Sequence, residues 1–360
     1  GVSAWAAGKF LVHEHEHETV WFGERGVLST ERAFATLPMA ACVGSSLVVA
    51  GLAYRFPKSS AHLRLNPTIH SIVALPLGIV LGFRFNNCYE RWRQSRLDLQ
   101  DLGSQCLSIA IQTANNTLPT SAQDSVVANM YASRTLSLTD AFLALVEKEY
   151  MKEEDLHPLH QSIDWKQATD VVSPHDAMQL TNAEDPILWC LDALVSSIRN
   201  GELMGVYSGD LAAQMYATCT EIVGTHRHLK MVAEEKTPAP FVVHTRTMIL
   251  GFCSTFPFTL VGKMSPTAIP IAGALLSFSL LGIEYCSREM AEPFGSDKND
   301  HALQAILDEV RGQIRWLRES SPRARLLPEE KDIDVVAMEA IVEERIRCMA
   351  QRSSSASMSS

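Results

Sequence analysis

Leu75, Ile79 and Phe83 recur every four residues in an otherwise apolar run. On a helix that spacing lines the three side chains along one face. The run passes without a break into Arg84-Phe85-Asn86-Asn87-Cys88-Tyr89-Glu90-Arg91-Trp92. A lipid-facing helix has no use for two adjacent amides at that depth, whereas a helix lining a water-filled path does. Asn86, Asn87 and Arg91 are the polar candidates for such a path, placed after an apolar constriction. A constriction of that kind holds no fixed charge, favours ions that lose water cheaply and can gate by drying out. The alternative is a packed stripe whose asparagines bond to neighbouring helices, and spacing alone leaves both readings open.

A second chemical segment is Glu292-Pro293-Phe294-Gly295-Ser296-Asp297-Lys298-Asn299-Asp300. Pro293 and Gly295 break the preceding helix. Asp297, Asn299 and Asp300 then place oxygens on a tight turn, the kind of donor that calcium takes. The spacing is not that of an EF-hand, and the competing reading is a solvated turn with an aspartate capping the next helix. His13-Glu14-His15-Glu16-His17-Glu18 would put three histidines on one face of an extended strand, a possible divalent-metal site, but reads more simply as a solvated terminal segment. Thr225-His226-Arg227-His228 reads as the polar face of a helix. The sequence has no glycine-rich phosphate loop, no G-x-S-x-G elbow and no H-E-x-x-H motif.

These residues need long apolar helices to hold them. Crossing the hydrocarbon core of a bilayer takes about 20 apolar residues. Four runs approach this, at about 33–54, 65–90, 241–262 and 264–288. Four buried core helices of a large soluble protein are the alternative. Between the second and third runs lies a long segment of mixed-face helical patterning without sustained period-two alternation. The expected fold is therefore all-α, with four transmembrane helices and a large helical cytosolic part over 91–240 and 289–320. Residues 1–26 form an N-terminal segment and 321–352 a C-terminal helical one, starting near Pro328-Glu329-Glu330. The serine-rich 353–360 is expected to be disordered. An even number of spans places both termini on one side, taken as the inside from the arginines after the second span.

The 360 residues carry a formal net charge of −10, which argues against nucleic-acid binding. None of the eight cysteines forms a C-x-x-C pair, and several sit in apolar runs, where a reduced thiol behaves as a small hydrophobe. The first residue is Gly1, which suggests processing or excision from a longer polypeptide.

The run Leu75-Pro76-Leu77-Gly78-Ile79-Val80-Leu81-Gly82-Phe83-Arg84, followed by Tyr89-Glu90-Arg91-Trp92, resembles the pore helix of bestrophins and their bacterial relatives. Glu292-Pro293-Phe294-Gly295 with Asp297 and Asp300 resembles the acidic segment after that family's last membrane helix. Pro238-Ala239-Pro240-Phe241 is similar to the entry to its third span. The order and spacing match over about 27–320. The resemblance implies a homopentameric anion channel with chloride as permeant ion and four membrane helices per subunit. Its neck would be Leu75, Ile79 and Phe83, and its calcium clasp would include Glu292, Asp297 and Asp300. Bacterial members need no calcium, so a calcium response stays open. Arg91-Trp92-Arg93 departs from the second aromatic that many relatives have after Trp. The cytosolic aperture residue has no clear match, with Ala212, Ala213 and Met215 in about the right region. The remaining readings are a channel domain gated by a fused module and a membrane-anchored metal-binding protein or enzyme. Membrane lipid and small anions are the expected partners, and the host membrane, plasma or thylakoid, is left open.

Overall fold

The computed structural model describes residues 33–116, 122–150, 167–235, 237–294, 300–320 and 334–357. Helix accounts for all regular structure there, apart from an isolated bridge between Val261 and Met264. The chain divides into two compact units. One comprises residues up to Glu90 together with Lys236–Ala291, and the other Arg91–Glu235 together with residues from Glu292 on.

The first unit contains α1 (Ala33–Arg55), the opening half of α2 (Pro67–Asn116), α7 (Ala239–Leu260) and α8 (Ala268–Ala291). Pro67 sits in the first turn of α2, where its missing N–H costs nothing, and the Asn66 side chain accepts from Thr68 N at 3.0 Å. Helices α1, α7 and α8 pack closely in every pairing, and α2 forms no helix pair as close among the described residues. Gly273 of α8 permits the closest approach: a Cβ there would collide with the side chain of the buried Ser46 on α1. Gly262, at φ 76°, turns the chain between α7 and α8. Leu65 N donates to Phe258 O at 3.3 Å, which ties the approach to α2 to the end of α7.

Among the described residues, three helical stretches are long and apolar enough to cross a membrane: Pro38–Arg55, Ser59–Asn115 and Ala268–Ala291. The stretch expected at 241–262 forms α7 but is not among them. His244, Arg246 and the threonines around them dilute the apolar character of its first half. The second expected run does not stop being helical near residue 90. It continues as one helix to Asn116, because the sequence has neither glycine nor proline between Gly82 and Gly103.

The second unit is built on α3 (Ala122–Tyr150), with α4 (Pro174–Asn182), α5 (Pro186–Leu203), α6 (Gly209–Glu234), α9 (Leu303–Ser320) and α10 (Val335–Ser357). Every residue of α3 from Tyr131 to Glu147 is buried, polar ones included. Burying so many polar groups is tolerable only if each finds a partner. Arg134 makes a two-pronged pair with Asp176, Nε to Oδ2 at 3.1 Å and Nη2 to Oδ1 at 2.8 Å. Asp140 accepts from Arg311 Nε at 2.6 Å, which fastens α9 to α3. Thr135 reaches Ser197 at 3.0 Å and Tyr207 at 3.3 Å. Helices α4, α5 and α6 begin at Ser173, Asp185 and Ser208, each accepting from a backbone N–H of the first turn. Helix α10 runs on through Ser357, into the serine-rich stretch for which disorder was expected.

Asp176→Ala would strand the buried Arg134 guanidinium, and removing one partner of a buried pair costs about 3–5 kcal/mol. Thermal unfolding of the detergent-solubilised protein should show a clear drop in melting temperature, and an unchanged value would mean that the pair is dispensable.

Candidate ion pathway

Leu75, Ile79 and Phe83 all lie on α2 and are exposed to 70%, 62% and 61%. The neighbouring Leu77, Leu81 and Cys88 are buried, the first two in a cluster with Cys42, Ile249 and Cys253. The helical step of 100° per residue explains the split. Taking Leu75 as zero, Ile79 and Phe83 fall at about 40° and 80°, whereas Leu77, Leu81 and Cys88 fall between about 200° and 240°. Asn86 returns to about 20°, so the exposed apolar stripe leads directly into an amide. Asn86 and Asn87 are both exposed.

Arg91 does not join the stripe that leads into Asn86. At about 160° from Leu75 it lies on the other side of the helix. Its Nη2 donates to the carbonyl oxygens of Val232 and Glu235, the end of α6, where a cation is favoured by the helix dipole. Of the three aperture candidates, Ala212 and Met215 are in the core and Ala213 is exposed.

The acidic turn is anchored at both ends within the second unit. His301 N donates to Pro293 O at 3.0 Å. Phe294 is buried, stacked on Tyr150 with centroids 5.4 Å apart and set edge-on to His301 at 6.2 Å. Glu292 is exposed and Asp300 half-buried, while Asp297 lies outside the described residues. Among the described residues no three His, Cys, Asp or Glu side chains converge as a metal site. The His13–Glu18 run also falls outside them.

Sequence reasoning missed the histidines behind this turn. His301 Nε2 lies 2.8 Å from Trp92 O and 2.9 Å from Ser95 Oγ. A carbonyl only accepts, so Nε2 carries a proton and donates to it. His226 is not on a polar face: it is buried, and Tyr150 donates to its backbone oxygen at 3.1 Å and meets its Nδ1 at 3.0 Å. Burial pushes both imidazoles below their ordinary pKa. For His301 the Trp92 hydrogen bond opposes this and Arg96 reinforces it, and for His226 Glu149 opposes it and Lys230 reinforces it. Nothing in the local sequence marks these two histidines, since their partners lie far along the chain.

Also missed was the meeting of three charges that lie within the expected membrane runs. Arg84 Nε lies 2.9 Å from Glu284 Oε2, with side chains only 3% and 8% exposed, and Arg246 Nε donates to Glu284 Oε1 at 2.7 Å.

A histidine whose folded pKa is lowered binds its proton more readily when unfolded. Its contribution to stability is therefore intact above the unfolded value of about 6.5 and is lost as pH falls below it. Melting temperature should fall from about pH 7.5 to about pH 5.5, and His301→Gln should flatten that slope. An unaltered slope in the variant would show that His301 does not titrate on unfolding.

The family model for bacterial and fungal bestrophin proteins matches residues 33–316. A voltage-dependent anion channel-forming protein of Escherichia coli (strain K12) is 26% identical over 275 residues, covering 74% of this chain and 83% of that protein. One from Nostoc sp. is 24% identical over 264 residues, covering 72% and 80%. The crystal structure of a bacterial bestrophin homologue from Klebsiella pneumoniae superposes with a TM-score of 0.66 at 17% identity, over 78% of this chain and 97% of that one. With a family model spanning α1 through most of α9, on an all-helical fold shared with a solved homologue, the chain belongs to the bestrophin family.

Proposed function

We propose that this chain is a subunit of an anion channel that assembles as a homopentamer, with α2 of each subunit lining a central pore. The observation that carries the proposal is the exposed line of Leu75, Ile79 and Phe83. Three large apolar side chains turned away from the subunit's own packing, and followed by Asn86, suit the wall of a constriction that opens into water. The relatives named as anion channel-forming proteins support the same reading. In a ring of copies the three side chains form apolar collars in series. An ion there loses hydration without gaining a charged partner, so weakly hydrated anions pass most readily. Aromatic edges at Phe83 carry partial positive charge and favour an anion over a cation. Chloride is the expected physiological ion, and Ala213 is the aperture candidate left by the burial of its neighbours.

Flux of chloride, bromide and nitrate from liposomes holding the purified protein tests this reading, together with its assembled mass in detergent. Replacing Leu75, Ile79 and Phe83 by alanine should raise conductance several-fold and reduce discrimination among the anions, with assembly intact. Wild-type conductance and preference in a normally assembled triple variant would place the constriction elsewhere.

The turn at 292–300 gives a second expectation. Calcium takes six to eight oxygens, of which Glu292, Asp297 and Asp300 would supply only a part, so further donors are needed beside them. If the turn is a calcium site, Asp297→Ala with Asp300→Ala should abolish any difference between currents in calcium and in chelator. Wild-type currents that are the same in both would assign the turn a structural role alone.

A further inference from the structure

Arg84, Arg246 and Glu284 come from three helices of the first unit and meet in one layer. At 1.5 Å per residue, Arg84 lies about 25 Å along α2 from Pro67, Glu284 about 24 Å along α8 from Ala268, and Arg246 about 21 Å back along α7 from Leu260. Those three reference ends are gathered together by the α7–α8 turn and by the Leu65 N to Phe258 O hydrogen bond. Two cations and one anion in such a layer leave a net positive charge. Arg84 Nε and Nη1 make no hydrogen bond among the described residues, so the 2.9 Å contact with Glu284 is an ion pair off the hydrogen-bond direction. A buried ion pair is a poor source of stability, because well-packed apolar side chains of the same volume usually do as well. Ionisable residues within membrane-spanning helices therefore point to a functional task.

We infer that Glu284 is a positioning residue that fixes the rotation of α2 through Arg84 and thereby sets which side chains form the neck. This rests on the reading of Leu75, Ile79 and Phe83 as that neck. Arg84 follows Phe83 directly and sits about 180° around the helix from Leu75. With Arg84 held by Glu284, the three neck residues must turn away from the unit. The other anchors of this half of α2 leave it less constrained. Leu77 and Leu81 contribute apolar contacts, which are non-directional, and α2 lacks the close packing that binds α1, α7 and α8 to one another. His70 meets Thr255 near the start of this half, whereas the Arg84–Glu284 contact lies beside Phe83 and sets the helix phase at the neck, where a slip of one residue would swing Arg84 to the position of Phe83.

The experiment is a coupling cycle on the channel reconstituted in liposomes, read as the nitrate-to-chloride permeability ratio. Arg84→Gln with Glu284→Gln removes the clamp and leaves the layer's net charge as it was, since Arg246 remains. In the native neck the ratio should shift at least about two-fold, and in the background of the alanine neck the same pair should produce no shift, because coupled residues are non-additive. Glu284→Asp keeps all three charges while shortening the reach, and should shift the ratio in the same direction by less. It serves as the deciding variant should the glutamine pair fail to assemble. Equal shifts in both neck backgrounds, or no shift in an assembled variant, would overturn the inference while leaving the neck in place. An alanine neck that itself permeates like the wild type would overturn both.

Discussion

An α-helix advances 100° with every residue, and that fixed step obliges α2 to serve two incompatible surroundings at once. One side presents Leu77, Leu81, Arg84 and Cys88 to its own unit, and the other presents Leu75, Ile79, Phe83 and Asn86 outward. No change of side chain alone can exchange the two faces. The backbone must rotate, and it is held by whatever grips the inner face. The contacts of α2 with α7 and α8 therefore bear on the outer face even where they do not touch it. His70 reaches Thr255 at 3.0 Å and lies against Phe252 at 5.0 Å, a polar contact of α2 with α7 beside the Arg84 contact with α8.

The second unit solves a different problem. Its central helix α3 is surrounded on all sides, yet it carries arginine, aspartate, glutamate and several hydroxyls. Its neighbours are selected by what those groups need. Asp176 on α4 answers Arg134, Arg311 on α9 answers Asp140, and Ser197 on α5 answers Thr135. Arg311, itself only 2% exposed, also donates to Gln167 at 2.8 Å. Polar specificity of this kind fixes which helix lies beside which, where apolar packing alone would tolerate several arrangements.

Much of this was legible in the sequence. Uninterrupted apolar runs and the four-residue spacing of Leu75, Ile79 and Phe83 are local signals, and they gave the helical class and the stripe. Charges read along one dimension misled. Arg84, Arg246 and Glu284 each interrupt a different apolar run, and a sliding window cannot see that the three converge. Arg91 was grouped with Asn86 and Asn87 by proximity in sequence, although it lies about 140° around the helix from Asn86 and its guanidinium is held by the end of α6. His226 was assigned to a polar face because its neighbours Arg227 and His228 are polar, while its own direction points to Tyr150, far away in the chain. Contacts of long sequence separation are the ones no local pattern encodes.

The turn after α8 is pinned by the Pro293 to His301 hydrogen bond, with Phe294 seated on Tyr150 just inside it. Closing a flexible loop ordinarily costs configurational entropy that grows slowly with its length. Here the hydrogen bond and the ring stack offset that cost from the second unit's own core, so Phe294 serves the frame of the segment and the core at once.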